Sequence, residues 1–128
     1  MYIAPTRPRN WSSDLQYLIT PLGTQAPQPD DTIYIYLTRP VSAVVGRAKA
    51  GVVFIVPRDK LPMLLAKLGL TSSIDTKMRY VALIELREYI QCRRSVSYKK
   101  LGIRPPTTLR KISKKTIETL EEICSSND

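Results

Sequence analysis

Alternating apolar and polar positions predict most of the β-structure of this chain. Four segments are predicted as strands: Tyr2–Thr6, Thr32–Thr38, Val41–Val56 and Met78–Ile90. In the second of these, Ile33, Ile35 and Leu37 share one face, because successive side chains of a strand point to opposite sides. Gly46 and Gly51 lie inside the third segment, where glycines often mark a bulge or a sharp bend. A strongly bent strand indicates a small closed or nearly closed barrel.

Helical spacing and capping residues interrupt these strands at four places. The predicted helical segments follow Asn10, span Arg58–Leu68, form one turn within Ser95–Leu101, and follow the N-cap candidate Ser113. In the first, Trp11, Leu15 and Leu18 recur at i, i+4 and i+7, and Pro21 ends the pattern. The predicted core face of the last long strand consists of Tyr80, Ala82, Ile84 and Leu86. With the single turn within Ser95–Leu101 left out, the resulting order is β-α-β-β-α-β-α, which predicts a mixed α+β fold in a single domain over residues 1–128.

Positive charge is concentrated in one stretch of the chain. The 128 residues include 20 Lys and Arg against 11 Asp and Glu, a formal net charge of +9. Residues 91–115 contain nine cations and no acid: Arg93, Arg94, Lys99, Lys100, Arg104, Arg110, Lys111, Lys114 and Lys115. Such a local field is typical of a protein that binds a polyanion. Nucleic acid is favoured over a membrane surface, because the stretch lacks a regular amphipathic helix.

The residue types that are missing exclude several classes of chemistry. The chain has no histidine, so it cannot build a Ser-His-Asp triad, a Cys-His pair or a histidine-ligated zinc site. Its two cysteines, Cys92 and Cys124, do not form a CxxC motif, and we expect them to be free thiols in a reducing compartment. No apolar run approaches the ~20 residues that span a bilayer. The sequence therefore predicts a cytoplasmic protein with no cofactor, no metal and no membrane contact.

Two short patterns resemble the PUA-like superfamily, in its EVE and ASCH branches. Tyr36 and Thr38 match a strand that ends in an aromatic and a small hydroxyl residue, and Val44–Ala48 matches the aliphatic-Gly-x-Ala/Glu pattern of the next strand. The pair Asn10-Trp11 is similar to the EVE start. The Lys and Glu-x-Arg motif with which the ASCH branch usually opens has no equivalent here.

The resemblance implies a small mixed β-barrel flanked by helices, with a cleft for nucleic acid. An unstacked base needs an aromatic wall, donors for its edge and cations for its phosphates. The pocket is expected between the Thr6–Trp11 loop and the strand end at residues 36–39, and its residues are Thr6, Asn10, Trp11, Tyr36, Thr38 and Arg39. The expected phosphate contacts are Arg47, Lys49, Arg93, Arg94, Lys99, Lys100, Arg104, Arg110 and Lys111. The candidates for the aromatic wall are Trp11, Tyr34 and Tyr36. Trp11 fits a core position equally well, and the pattern favours a core position for Tyr34.

Three functions remain open from the sequence. The first is a module that binds RNA or a modified base in RNA or DNA. The second is a metal-independent ribonuclease of ASCH type, for which Lys49, Tyr80 and Lys99 are available as acid and base. The third is a protein-interaction or regulatory module whose basic stretch binds an acidic partner. No pattern in the chain specifies an oligomeric state.

Overall fold

A computed structural model describes residues 1–69 and 77–125 of the chain. Its six strands are β1 (Tyr2–Thr6), β2 (Tyr17–Pro21), β3 (Thr32–Leu37), β4 (Ala43–Pro57), β5 (Tyr80–Ser97) and β6 (Arg110–Lys111). The three α-helices are α1 (Leu61–Lys67), α2 (Tyr98–Leu101) and α3 (Lys114–Cys124). Short 3-10 turns at Pro8–Asn10 and Arg58–Lys60 complete the described elements. The mixed α+β class predicted from the sequence is confirmed.

The strands form one curled sheet in the order β2-β5-β4-β3-β1-β6. The pair β1–β3 is parallel, and every other pair in the sheet is antiparallel. The two edges approach each other, because the residue after β2, Leu22, bridges to the residue before β6, Leu109. The Leu109 amide donates to the Pro21 carbonyl at 2.8 Å, and the Thr20 hydroxyl donates to the Pro5 carbonyl at 2.8 Å. The sheet is therefore a small, nearly closed barrel.

Irregular pairing along β4 and β5 produces the bend on which the barrel depends. The register between these strands shifts at Val44/Gly46, Arg47/Lys49 and Ala50/Val53. A side chain at Gly46 would collide with the Tyr89 ring, which lies directly against the backbone there. The prediction that glycines mark bends in this strand is confirmed.

Apolar residues are buried in three clusters. The largest lines the barrel interior and includes residues from all the long strands, such as Ala4, Leu18, Ile35 and Ile84. A second cluster lies on the outside under α2 and α3, and its members are Ile3, Tyr34, Tyr36, Val44, Cys92, Val96, Leu101, Leu120 and Cys124. A third lies under α1 and consists of Val56, Leu61, Leu65 and Val81. The helices thus cover two separate parts of the outer surface.

The predicted first helix is wrong. Residues 8–10 form a 3-10 turn, and β2 occupies Tyr17–Pro21 instead. β2 pairs with β5 from Tyr17↔Glu85 to Pro21↔Val81, and this places Leu18 and Thr20 fully inside the barrel. Pairing with an open sheet edge thus overrides the helical spacing of the apolar residues.

The long fifth strand differs from its prediction in length and in its exposed face. It continues to Ser97, seven residues beyond the predicted end, and only then gives way to α2. Tyr80, predicted in the core, is 44% exposed, whereas Val81 and Leu83 on the opposite face are fully buried. Ala82 and Ile84 belong to the barrel interior, whereas Val81 belongs to the cluster under α1, so both faces of this segment contribute buried residues.

The two cysteines are joined, so the expectation of free thiols is wrong. Cys92 of β5 and Cys124 of α3 form a disulfide between positions 32 residues apart in the chain. Both side chains are buried in the cluster under α3. The bond therefore attaches the last turn of α3 to the barrel wall.

Candidate nucleic-acid interface

A pocket lies beside the barrel, where two parallel strands end. β1 and β3 pair in register, so Thr6 and Leu37 end side by side. The Thr38 amide donates to the Thr6 carbonyl at 2.9 Å, which joins the two loops that follow. A pocket of about 400 Å³ lies between these loops, lined by Arg7, Pro8, Arg9, Thr38, Arg39 and Pro40. Two rigid prolines and three arginines thus surround one opening.

A second groove begins on the other side of the same turn. It has a volume of about 380 Å³ and is lined by Val41, Ala43, Arg94, Ser95, Ser97, Lys100, Glu122 and Ile123. The Tyr98 amide, at the start of α2, donates to the Ser42 carbonyl at 3.4 Å and connects this groove to the turn. Ser97 caps α2 by accepting a hydrogen bond from the Lys100 amide at 3.3 Å. This cap orients the lysine-bearing turn beside the groove.

Five cations therefore flank the Thr38–Ser42 turn. We call them the basic end of the barrel: Arg7, Arg9, Arg39, Arg94 and Lys100. All except the half-buried Arg7 are exposed. Glu122 is the one acid among the lining residues of the two grooves. Clefts lined by charges of one sign focus the field and raise the local concentration of an anionic ligand.

The other predicted phosphate contacts lie on several surfaces. Lys99 is exposed beside Lys100, and Arg93 lies on the face of β5 opposite Arg94. Arg104, Arg110 and Lys111 lie at the β6 edge, where the Arg110 guanidinium donates to the Arg104 carbonyl at 3.4 Å. The basic stretch therefore wraps around the barrel and does not form one continuous track.

Arg47 and Lys49 lie together in a third groove, near the middle of β4. This groove has a volume of about 490 Å³ and is lined by Thr32, Arg47, Ala48, Lys49, Glu88, Tyr89 and Ile90. The Lys49 ammonium is 3.4 Å from the Glu88 carboxylate, and both side chains are largely exposed. We call it the mid-strand groove. Its two cations were predicted as phosphate contacts, but Glu88, which is far away in sequence, was not among the predicted site residues.

The predicted aromatic wall is packed into the protein. Tyr36 is 1% exposed, and burial raises its pKa, while a hydrogen bond with Ser42 lowers that pKa in part. Trp11 is half-buried, with its ring 5.2 Å from the Tyr89 ring in an edge-on arrangement. The Trp11 and Tyr89 rings pack against the barrel interior, whereas Tyr36 belongs to the cluster under α2 and α3. The pocket at the basic end is lined instead by Pro8 and Pro40.

The predicted polar residues of the pocket differ in their accessibility. Thr38 and Arg39 line the pocket, whereas Thr6 is buried beneath it at 6% exposure. Asn10 is half-buried in the adjoining 3-10 turn, where its backbone N–H donates to the Arg7 carbonyl at 2.9 Å. Arg7 and Arg9 also line the pocket but were not among the site residues predicted from the sequence. The signal was available, because two arginines flank a proline directly after the first strand.

Tyr34 lies on the outer face of β3 and belongs to the cluster under α2 and α3. Its side chain is fully buried, and its hydroxyl forms no hydrogen bond within the described part of the chain. Burial raises the pKa of Tyr34, and the nearby Arg47 guanidinium lowers that pKa in part. The position under α3 agrees with the core interpretation of this residue.

The structure does not bring the candidate ribonuclease residues together. Tyr80 is the first residue of β5, and Lys99 lies two residues beyond its last. Lys49 pairs with Arg87, seven positions along the strand from Tyr80, or roughly 23 Å at the usual rise per residue. No acid–base pair is formed by these three side chains.

Two further observations limit the kinds of site present. Residues 1–69 and 77–125 contain no group of three or more His, Cys, Asp or Glu side chains arranged to hold a metal ion. Within the same described part of the chain, no helix has the length and apolar character needed to cross a membrane.

Comparison with known proteins identifies the fold. No protein-family model and no curated protein matches the chain. Among solved structures, the chain is similar to the ASCH protein of Zymomonas mobilis, with 18% identity, a TM-score of 0.69, and coverage of 93% of this chain and 92% of that one. It is also similar to the N-terminal domain of Staphylothermus marinus McrB, with 13% identity, a TM-score of 0.53, and coverage of 94% and 92%. The curled six-stranded barrel and the three short helices of the described residues therefore share the fold of the Zymomonas mobilis ASCH protein.

Proposed function

We propose that this protein binds nucleic acid through the basic end of the barrel. The observation that carries the proposal is the placement of five cations in two grooves on either side of the Thr38–Ser42 turn. Lys and Arg side chains that neutralise phosphates release counterions, and this release supplies most of the sequence-independent affinity for nucleic acid. The PUA-like resemblance supports the same conclusion, because it implies a nucleic-acid cleft between strands and helices.

The pocket between the β1 and β3 loops is the proposed site for a single unstacked nucleotide of RNA or of modified DNA. Arg39 and Arg9 are exposed at its rim and are positioned to contact phosphate, while Thr38 offers a hydroxyl to the base or sugar. Pro8 and Pro40 supply rigid apolar surface without a large loss of side-chain freedom. The exposed Lys99 and Lys100 extend the positive surface from the second groove.

A pair of charge-reversal variants tests the location of the site. Arg9→Glu/Arg39→Glu changes the basic end, and Lys60→Glu/Lys67→Glu makes the same change in net charge beside α1, where both lysines are exposed. Fluorescence anisotropy against short single-stranded RNA and single-stranded DNA, each at two salt concentrations, measures the affinities. We expect the first variant to lose more than about tenfold in affinity and to show a salt dependence reduced by about 1 for each lost phosphate contact.

The control variant defines the outcomes. If only Arg9→Glu/Arg39→Glu weakens binding, the basic end is the site. Equal losses in both variants would mean that net charge alone drives association, and the proposed pocket would be wrong. Wild-type protein that binds neither RNA nor DNA would overturn the proposal as a whole and favour an acidic protein partner.

A further inference from the structure

The mid-strand groove contains chemistry that binding to the phosphate backbone does not use. A groove that only holds phosphate needs cations, yet this one places a carboxylate, Glu88, beside its two cations Arg47 and Lys49. It also has apolar surface, because Ile90 is 53% exposed within it and Tyr89 forms part of its lining. Cations, a carboxylate and apolar surface in one groove match a complete nucleotide better than they match a phosphate alone.

A local irregularity of β5 orients the carboxylate toward the groove. Glu88 has a φ of +52°, the left-handed region that side chains other than glycine rarely adopt. It lies at a bulge, since Arg47 pairs with Ile90 and Lys49 pairs with Arg87, so that two residues of β5 oppose the single residue between them. Bulges often redirect a side chain near a functional site. Here the bulge brings Glu88 to the same side as Lys49.

The neighbouring side chains hold this arrangement in place. Tyr89 packs over Gly46, its hydroxyl donates to the Val45 carbonyl at 3.5 Å, and its ring meets Trp11. A residue fixed on three sides anchors the bulge, so Glu88 and Ile90 on either side of it have defined positions. The Lys49–Glu88 pair itself is solvent-exposed, and exposed pairs of this kind contribute little to stability. A ligand can therefore replace their mutual contact at small cost.

We propose that the mid-strand groove recognises a guanine base. The Watson–Crick edge of guanine presents one acceptor, O6, beside two neighbouring N–H donors, on N1 and N2. The Glu88 carboxylate has two acceptor oxygens side by side, and the Lys49 ammonium has only donors. The carboxylate would accept from N1–H and N2–H while the ammonium donates to O6. Adenine and cytosine offer one amino donor and leave one carboxylate oxygen unused, and uracil offers a single N–H between two acceptors.

The remaining lining residues complete a nucleotide site. Ile90 provides an apolar face against which the base packs, and the half-buried Arg47 is available for the adjoining phosphate. This inference rests on the proposed nucleic-acid function but concerns a different groove. The basic end would supply affinity, while the mid-strand groove would supply base preference.

Inosine provides a matched ligand for the test, because it lacks only the N2 amino group of guanine. The probes are short single-stranded RNAs that are identical except for guanosine, inosine, adenosine or cytidine at one position, measured by fluorescence anisotropy at fixed salt. Wild-type protein is expected to prefer guanosine over adenosine by roughly 5- to 150-fold, the range for one bidentate base contact, with inosine between them. Glu88→Gln is expected to bring the guanosine-to-inosine ratio close to 1 while the salt dependence stays unchanged.

Control variants separate the possible outcomes. Glu118→Gln makes the same charge change on the exposed face of α3 and should keep the preference. Ile90→Ala should weaken binding of all four probes while keeping their ranking. A wild-type protein that binds RNA without preferring guanosine, or a Glu88→Gln variant that keeps the full preference, would overturn the guanine site and leave the basic end intact. Failure of every probe to bind would overturn the proposed function as well.

Discussion

The paired strands β4 and β5 carry cations at both ends, one near α3 and the other near α1, but the two ends differ in how they are packed. At the α3 end, nine buried residues, a disulfide and a capped helical turn support the cations of the basic end. At the α1 end, Lys60 and Lys67 are also exposed, and within the described part of the chain four buried residues form the cluster under the helix. Ile55 and Tyr80 also remain 54% and 44% exposed there.

We therefore expect the cations of the basic end to bind an anionic ligand better than the lysines beside α1 do. A lysine on a weakly packed helix loses conformational entropy when it contacts a phosphate. A cation on a tightly packed helix or strand loses less conformational entropy in the same contact. The α3 end combines charge with grooves on either side of a fixed turn. We expect support and charge to act together at that end.

Truncating one leucine at each end compares the strength of the two supports. Leu120 is fully buried in the nine-residue cluster, and Leu61 is 4% exposed in the four-residue cluster. We expect Leu120→Ala to lower the free energy of unfolding by about 3–5 kcal/mol and Leu61→Ala by about 2–3 kcal/mol, because a tighter cluster collapses less around a cavity. Urea denaturation measures both values. Equal losses of stability in the two variants would contradict the proposal that the α3 end is packed more tightly than the α1 end.

Removing the disulfide tests the covalent part of the α3 support. With the two cysteines 32 residues apart, the chain-entropy model assigns the bond about 3–4 kcal/mol of stability. Cys92→Ala/Cys124→Ala should therefore lower the midpoint of thermal unfolding, and a dithiol reductant should do the same to the wild type. The double variant serves as the control, because its midpoint should not respond to the reductant. A reductant-sensitive double variant would point to a cause other than this bond.

Reversing charge on α2 tests whether the lysines act on the nucleic-acid backbone. Lys99→Glu/Lys100→Glu should weaken binding of every sequence by a similar factor, about tenfold, and should flatten the salt dependence. Isothermal titration against two unrelated single-stranded RNAs measures the effect. If the loss occurs with only one of the two RNAs, the lysines read a base, which contradicts a backbone role.

The smallest effect concerns the buried tyrosines and alkaline pH. Burial raises the pKa of Tyr2, Tyr34, Tyr36 and Tyr89 above the ordinary value of 10.0. Above that pH the unfolded chain releases these protons before the folded chain does. The free energy of unfolding is therefore at its full value below pH 10 and decreases as the pH rises above it. Tyr34→Phe should leave stability at pH 7 within about 1 kcal/mol, since the hydroxyl makes no hydrogen bond to the described residues.

The alkaline prediction is checked by urea denaturation of both proteins at neutral pH and above pH 10. The decline between the two pH values should be smaller for Tyr34→Phe than for the wild type, because one shifted group is gone. An identical decline would mean that the Tyr34 phenol does not contribute to the pH dependence.

The sequence predicted the parts of the fold that depend on local pattern. β3 begins at Thr32 as expected, and Ser113 caps α3 by accepting from the Thr116 amide at 3.2 Å. α1 lies within its predicted segment, and Gly69 ends it with a φ of +67°. In each case neighbours along the chain determine the structure, so a single sequence is sufficient.

The failures concern features that depend on distant residues. β2 forms because its backbone pairs with β5, and no pattern within residues 10–21 predicts that pairing. The disulfide joins a strand to a helix, and no spacing rule connects their cysteines. In the candidate site, the charge and the Thr38–Arg39 position were predictable, but the pairing of Lys49 with Glu88 required the register of β4 on β5.

The closure at Leu22 and Leu109 has a consequence for how the chain reaches its fold. β2 finds its partner only when residues 81–85 of β5 are present, and β1 completes its pairing only with Arg110 and Lys111. A ribosome adding about 5–20 residues per second therefore leaves the first strands without their full set of partners for several seconds. Folding with such long-range contacts is slow compared with helical bundles. The early apolar strands are thus exposed to aggregation during this interval of synthesis.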